Sequence, residues 1–162
     1  MQKYVIVTLL EDVSDGTEFP MSAWPFHVTL AGNFVIDKTA NQLNEMVGDF
    51  AKNHDEFDAI AGDDDHFGPE GKVLVTKLEM NPRLKVVHKE LISLLESAGA
   101  LFDHPQYNNG GYIAHATVWH EKRLNKGDKV LFNKLSVVDM FPDGDIKQRK
   151  VLATFSLRKS SF

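Results

Sequence analysis

The sequence predicts an α+β fold, and three observations carry that prediction. Strand-like and helical stretches follow one another in mixed order, about seven of the first and two of the second, without the strict alternation of a parallel α/β sheet. At 162 residues, 43% of them hydrophobic and 25% charged, the chain can bury a sizeable core and has ordinary globular composition. A short His-x-Thr segment also recurs in two strand-like stretches, a weak internal duplication that predicts two small lobes sharing one cleft. No Pro/Gly/Ser-rich linker interrupts the chain, so residues 1–162 are expected to form a single bilobal domain.

Each element has its own signal. Residues 3–10 are rich in β-branched and aromatic types and predict a buried first strand. Asp12 to Pro25 holds Gly16, Pro20 and Pro25 among small polar residues and reads as a loop, whose Phe19, Met21 and Trp24 need a packing surface or a ligand. Phe26 to Phe34 returns to strand, with Phe26, Val28 and Leu30 alternating against His27, Thr29 and Ala31. Gly32 and Asn33 mark its end or a bulge. From Asp37 the period changes: Leu43, Met46, Val47 and Phe50 share a helical stripe, Asp37 or Thr39 can cap it, and Asn53 can stop it. Phe57, Ala59 and Ala61 alternate as a strand, Asp63 to Gly71 reads as a turn, and Val73 to Met80 as the next strand. Asn81-Pro82 opens a second helix with Leu84, Val87, His88, Leu91, Leu94 and Leu95 on one stripe and Gly99 closing it. A polar loop over Asp103 to Gly111 precedes a strand from Tyr112 to His120. Val130 to Met140 and Lys147 to Arg158 are the last strands, joined by a hairpin-like turn at Phe141 to Asp145.

Composition excludes several functions. Without cysteine there is no disulfide scaffold, thiol nucleophile or Cys-based metal centre. No apolar run approaches the roughly 18 residues that cross a bilayer, and the N-terminal stretch lacks a small-residue cleavage site, so a cytoplasmic protein with no membrane partner is expected. The formal net charge of −5 speaks against a grip on long nucleic acid, which needs a basic footprint. Seven histidines remain to be explained.

Two of them stand out. His27-Val28-Thr29-Leu30 and His115-Ala116-Thr117-Val118 lie more than half the chain apart, each in a strand-like segment and each ending on an aliphatic residue. Chance placement of seven His and seven Thr gives roughly 0.3 such His-x-Thr spacings. In a strand, residues i and i+2 point to the same side, so each segment offers an imidazole and a hydroxyl on one face. Paired imidazoles suit acid–base work near neutral pH: one removes a proton while the other protonates the departing oxygen. Two threonine hydroxyls can bond the non-bridging oxygens of a phosphoryl group. Such a set needs no metal and no cofactor, and it is a template for phosphodiester cleavage.

These motifs resemble the 2H phosphoesterase superfamily, whose 2′-5′ RNA ligase-like and 2′,3′-cyclic phosphodiesterase members carry two His-x-Thr/Ser-hydrophobic motifs. Phe67-Gly68, Val73 to Leu78, Asn81-Pro82 and Leu84 to Leu91 with its internal His are also similar to the middle of bacterial members, although Phe26 and Ala114 stand where many relatives have proline. The resemblance implies two pseudo-symmetric α+β lobes with antiparallel sheets flanking a central cleft, and the two main helices packed outside. It implies catalysis by His27 and His115, phosphate binding by Thr29 and Thr117, and a nucleotide or short RNA end as substrate. The expected activity is hydrolysis of 2′,3′-cyclic phosphate ends or of small cyclic or oligonucleotides. A non-catalytic binder of RNA ends or nucleotides, and 2′-5′ RNA ligation, are the alternatives. Which histidine is base and which acid stays open, and a monomer is expected.

The remaining candidates are weighed against plainer roles. His54, His66, His88, His104 and His120 read as surface or hydrogen-bonded core residues. Asp63-Asp64-Asp65-His66 reads as a solvated turn rather than a metal site, because the ligands are consecutive and no second cluster matches them. Trp119 shares strand parity with His115 and Thr117 and could stack a base; Trp24, Phe19 and Tyr107 are the other aromatic candidates for that contact. For the phosphate-binding cation, the sequence offers Lys72, Lys77, Arg123 and Arg149 without choosing among them.

Overall fold

The computed structural model describes residues 2–159. Its first strand, β1 (Lys3–Leu9), is buried on both faces: Tyr4 and Ile6 enter the main core, while Val5, Val7 and Leu9 enter a second, smaller one. Double burial is why this stretch reads as a continuous apolar run. β2 (Glu18–Pro20), β3 (His27–Val35), α1 (Ala40–Lys52), β4 (Phe57–Phe67), β5 (Val73–Leu78), α2 (Pro82–Ser97) and β6 (Leu101–Phe102) follow. β7 (His115–Thr117), β8 (Lys129–Phe132), β9 (Lys134–Asp139) and β10 (Gln148–Ser156) complete the order. They form two antiparallel sheets, β2-β10-β9-β1-β3-β6 and β7-β5-β4-β8, so the fold is α+β in two lobes.

Both helices begin where their caps predict. The Thr39 hydroxyl accepts from the Gln42 N–H while the Gln42 side chain accepts from the Thr39 N–H, a reciprocal box that satisfies two orphan donors. Asn81 accepts from the Leu84 N–H, and Pro82 costs nothing in a first turn that lacks partners for its N–H groups. α1 lies on β9 and β10, so closely that a Cβ at Gly48 would meet the Phe155 ring at 3.0 Å. α2 lies on β3 and β4 and buries Leu84, Val87, His88, Leu91, Ile92 and Leu95.

Four stretches differ from the sequence reading. Asp63 to Phe67 is not a turn: β4 runs through it, and the three aspartates take separate cations, Lys126, Arg123 and Lys77. Consecutive carboxylates read as a solvated turn only while their cations, distant in sequence, are unseen. Residues 130–140 form two strands with Asn133 between them, one in each sheet, so a single apolar pattern carries the chain between lobes. Periodicity cannot report which sheet a strand joins. The strand expected over Tyr112 to His120 shrinks to three residues, and the expected loop over Asp12 to Pro25 holds β2, too short to show a period.

The register of β3 positions the chemistry. Tyr4 faces Phe34, Ile6 faces Ala31 and Val7 faces Thr29, so β3 carries one extra residue at Gly32–Asn33 and another at Leu30. Val28 and Leu30 enter the main core, while His27 and Thr29, opposite Leu9 and Val7, turn toward the smaller one. In β7, Ala116 likewise enters the main core, which sends His115 and Thr117 to the other face. Both His-x-Thr faces therefore point away from the main core, and β3 packs against β7.

Candidate active site

The two histidines sit in matching local structures. His27 opens β3 and donates from Nδ1 to the carbonyl of Pro25, two residues back, at 2.7 Å. His115 opens β7 and donates from Nδ1 to the carbonyl of Ile113, also two residues back, at 2.8 Å. A carbonyl can only accept, so Nδ1 carries the proton in both rings, and the Nε2 of each neutral ring keeps its lone pair. Each ring also leans on an aromatic wall: His27 lies 4.7 Å from Trp24, and the His115 ring meets Phe67 edge-on at 4.8 Å. Burial holds the His27 imidazole below its ordinary pKa of 6.5, and the nearby His115 pushes the same way against the Pro25 carbonyl.

Between the lobes lies a pocket of about 190 Å³ lined by Ser22, Trp24, Phe26, His27, Thr117, Trp119 and Lys122, with Pro25 at its wall. It takes one member of each His-x-Thr pair. Trp119 and Lys122 reach it through a tight hairpin: the Trp119 N–H donates to the Lys122 carbonyl at 3.0 Å, the Lys122 N–H returns the bond at 2.9 Å, and His120 adopts φ 56° at the turn. The sequence reading placed Trp119 on a continuing strand; the hairpin turns the chain there and leaves the indole 47% exposed at the pocket. Lys122 is a cation that the sequence reading did not single out. Its ammonium bonds both oxygens of Glu11, at 2.7 and 3.0 Å, and Glu11 also accepts from the Phe26 N–H at 2.7 Å, beside His27. Lys122 and then the Phe26 N–H hold the Glu11 carboxyl below the usual carboxylate range. No spacing rule links residues 11, 26 and 122, so only the fold could find this bridge.

The other candidates are placed as follows. Phe19 is 7% exposed in the smaller core, and its ring meets Trp24 edge-on at 5.0 Å, so it backs Trp24 and presents no face to the pocket. Tyr107 is 62% exposed on the loop after β6, next to His104 and outside the pocket lining. Thr29 and Thr117 are half-buried. Of the four cations, Lys77 is register-paired with His115 and bonded to Asp65; Arg123 is tied to Asp64; Lys72 pairs with Glu70 on an exposed turn. Arg149 is buried and bonds the carbonyls of Met140, Ile146 and Gln148, so it braces the last hairpin. His54 is held by the Phe50 carbonyl and Glu90. No helix among the described residues is long and apolar enough to cross a membrane.

Each of the two sheets thus contributes one imidazole and one threonine, from β3 and from β7. Residues 13–137 match the model of the 2′-5′ RNA ligase superfamily, so the chain belongs to that superfamily, the 2H phosphoesterases. The solved structures it is similar to include LigT of E. coli in complex with NADP+, with a TM-score of 0.60 and 14% identity over 97% of this chain and 98% of that one. A crystal structure of a phosphoesterase gives 0.59 and 14% over the same shares. TT0787 of Thermus thermophilus gives 0.50 and 19% over 99% of this chain and 100% of that one. At these identities the likeness is one of fold. LigT has also been solved with 3′-AMP and with ATP. No curated protein sequence matches the chain significantly.

Proposed function

We propose that this protein is a metal-independent phosphodiesterase that opens 2′,3′-cyclic phosphate ends or cleaves small cyclic or oligonucleotides by two-histidine acid–base catalysis. The observation that carries the reading is the matched pair of imidazoles, each pinned through Nδ1 to the carbonyl two residues back and each offering Nε2. Burial favours the neutral form of His27, which suits it to accept a proton. His27 Nε2 takes a proton from water, the water oxygen attacks phosphorus, the bond to one ribose oxygen breaks, and protonated His115 gives that oxygen its proton. Thr29 and Thr117 bond the non-bridging oxygens, and the Trp24–Trp119 pocket takes the base with Lys122 at its edge. Nucleotides bound to LigT, a structure of the same fold, support a nucleotide substrate. Action within the cytoplasm, as one bilobal monomer, belongs to the same reading.

The test is turnover of 2′,3′-cyclic nucleotides by purified protein in EDTA. Wild-type hydrolysis that falls about 10²–10⁴-fold in both His27→Ala and His115→Ala is expected, since acid–base groups each contribute about that much. Turnover equal in all three would overturn the reading. Tight binding of RNA ends without turnover, unchanged by His→Gln substitutions, would make the protein a binding module; joining of RNA ends in place of hydrolysis would make it a ligase.

A further inference from the structure

Behind β3, on the side of α2, lies a feature that the proton-transfer scheme does not use. His88, on α2, is buried, and both of its ring nitrogens are engaged: Nδ1 donates to the Leu30 carbonyl at 2.7 Å, and Nε2 accepts from the Asn109 N–H at 3.0 Å. Its ring stacks on Tyr112 at 3.7 Å with an interplanar angle of 6°. The Tyr112 hydroxyl in turn donates to the Thr29 carbonyl at 2.7 Å. Two adjacent β3 carbonyls, Thr29 and Leu30, are thus capped by two stacked rings.

The Leu30 carbonyl needs its cap. The register leaves Leu30 as the extra residue of a bulge, without a partner on β1, and the other neighbour of β3, β6, pairs only with Phe34 and Val35. A buried carbonyl without a partner costs about 1–3 kcal/mol, so the bulge persists because other groups supply the donors. Thr29 lies two residues after His27, and Tyr112 three residues before His115. A short path of bonds therefore joins the imidazoles across the cleft: from His27 along β3 to the Thr29 carbonyl, across to the Tyr112 hydroxyl, along the chain to Ile113, and from its carbonyl to His115 Nδ1.

We propose that His88 and Tyr112 are positioning residues, a stacked two-ring clamp that sets the distance and orientation between His27 and His115 across the lobes. The proposal rests on the phosphodiesterase reading for its kinetic arm only. Neither ring enters the pocket lining, so the clamp acts through β3 and β7. Catalytic geometry is unforgiving, and a misplacement of about 1 Å can cost about 10²-fold in rate.

The experiment compares wild type with Tyr112→Phe, which keeps the stacked ring and removes only the hydroxyl, and with His88→Ala and His88→Asn. Kinetics with 2′,3′-cyclic nucleotides are measured well below the melting temperature of each variant. The ring protons of His27 and His115 are titrated by NMR in parallel. We expect kcat to fall roughly 10- to 100-fold in Tyr112→Phe with KM changed less than about twofold. We expect the mutual influence of the two imidazole titrations to weaken in the same variant. His88→Asn, which keeps a donor for the Leu30 carbonyl, should recover part of the loss seen in His88→Ala. A folded Tyr112→Phe protein with wild-type kcat and unchanged coupling between the titrations overturns the clamp. A wild type without hydrolytic activity overturns the phosphodiesterase reading instead and leaves the titrations to decide the clamp; should His88→Ala fail to fold, Tyr112→Phe decides it.

Discussion

Replacing Trp24 by alanine removes the wall against which His27 rests. The indole lies 4.7 Å from the imidazole and is backed edge-on by Phe19, so its loss admits water to a ring whose pKa is lowered chiefly by burial. The His27 pKa should rise once that burial is relieved. A fully buried aromatic truncated to alanine costs about 3–5 kcal/mol, so half-buried Trp24, contact with Phe19 included, should cost about 2 kcal/mol. That lowers the melting temperature by about 4–8 °C in a chain of this size. The protein therefore stays folded at 25 °C, and the catalytic consequence can be read separately. Well above the histidine range the base is neutral in both proteins, so activity there should suffer little from protonation. The loss belongs at lower pH: the acid limb of kcat/KM should move to higher pH in Trp24→Ala and stay near its wild-type position in Trp24→Phe. Steady-state rates between pH 4.5 and 8, with an NMR titration of His27 alongside, make the measurement. An acid limb that stays in place or moves to lower pH in folded Trp24→Ala would refute the argument that burial keeps this base neutral.

Other outcomes follow from the same contacts. Burial lowers the pKa of both His27 and His88, so on acidification the unfolded chain takes up these protons first; stability should fall as pH drops through about 6.5, and urea denaturation in His88→Gln should show a flatter dependence over that range. Phe132, with no exposed surface and its ring parallel to Phe57 at 4.9 Å, packs beside the crossover between the sheets; Phe132→Ala should cost about 3–5 kcal/mol in the same assay. A Cβ at Gly111 would sit 1.9 Å from the Gln106 carbonyl oxygen, so Gly111→Ala must displace the loop that carries Asn109 onto His88. Faster amide exchange confined to residues 105–112 should report it, and unchanged exchange there would contradict the contact.

Local chemistry was written in the sequence, and longer relations were not. Thr39, Asn53, Asn81 and Pro82 announced both helices because a cap acts within four residues of itself. The bulge signalled by Gly32 and Asn33 was legible for the same reason. The three aspartates of β4 were misread because their cations lie on β5 and on the segment after β7. The strand split at Asn133 was invisible because both halves are equally apolar and differ only in which sheet they join.

By itself, then, the sequence determined the fold class, both helices and the two His-x-Thr segments, since each depends on residue types a few positions apart. Tertiary structure alone decided that both segments turn their histidines away from the main core, that Trp24 and Trp119 wall one pocket, that Phe19 is withdrawn into the smaller core, and that Lys122 reaches Glu11 beside His27. It also decided that His88, which the sequence marks only as one position on a helical stripe, holds the bulge behind Thr29 together with Tyr112. The physical reason is the same throughout: caps, turns and periods act along the chain, whereas burial, ion pairs and the spacing of two imidazoles depend on what distant segments bring to the same place.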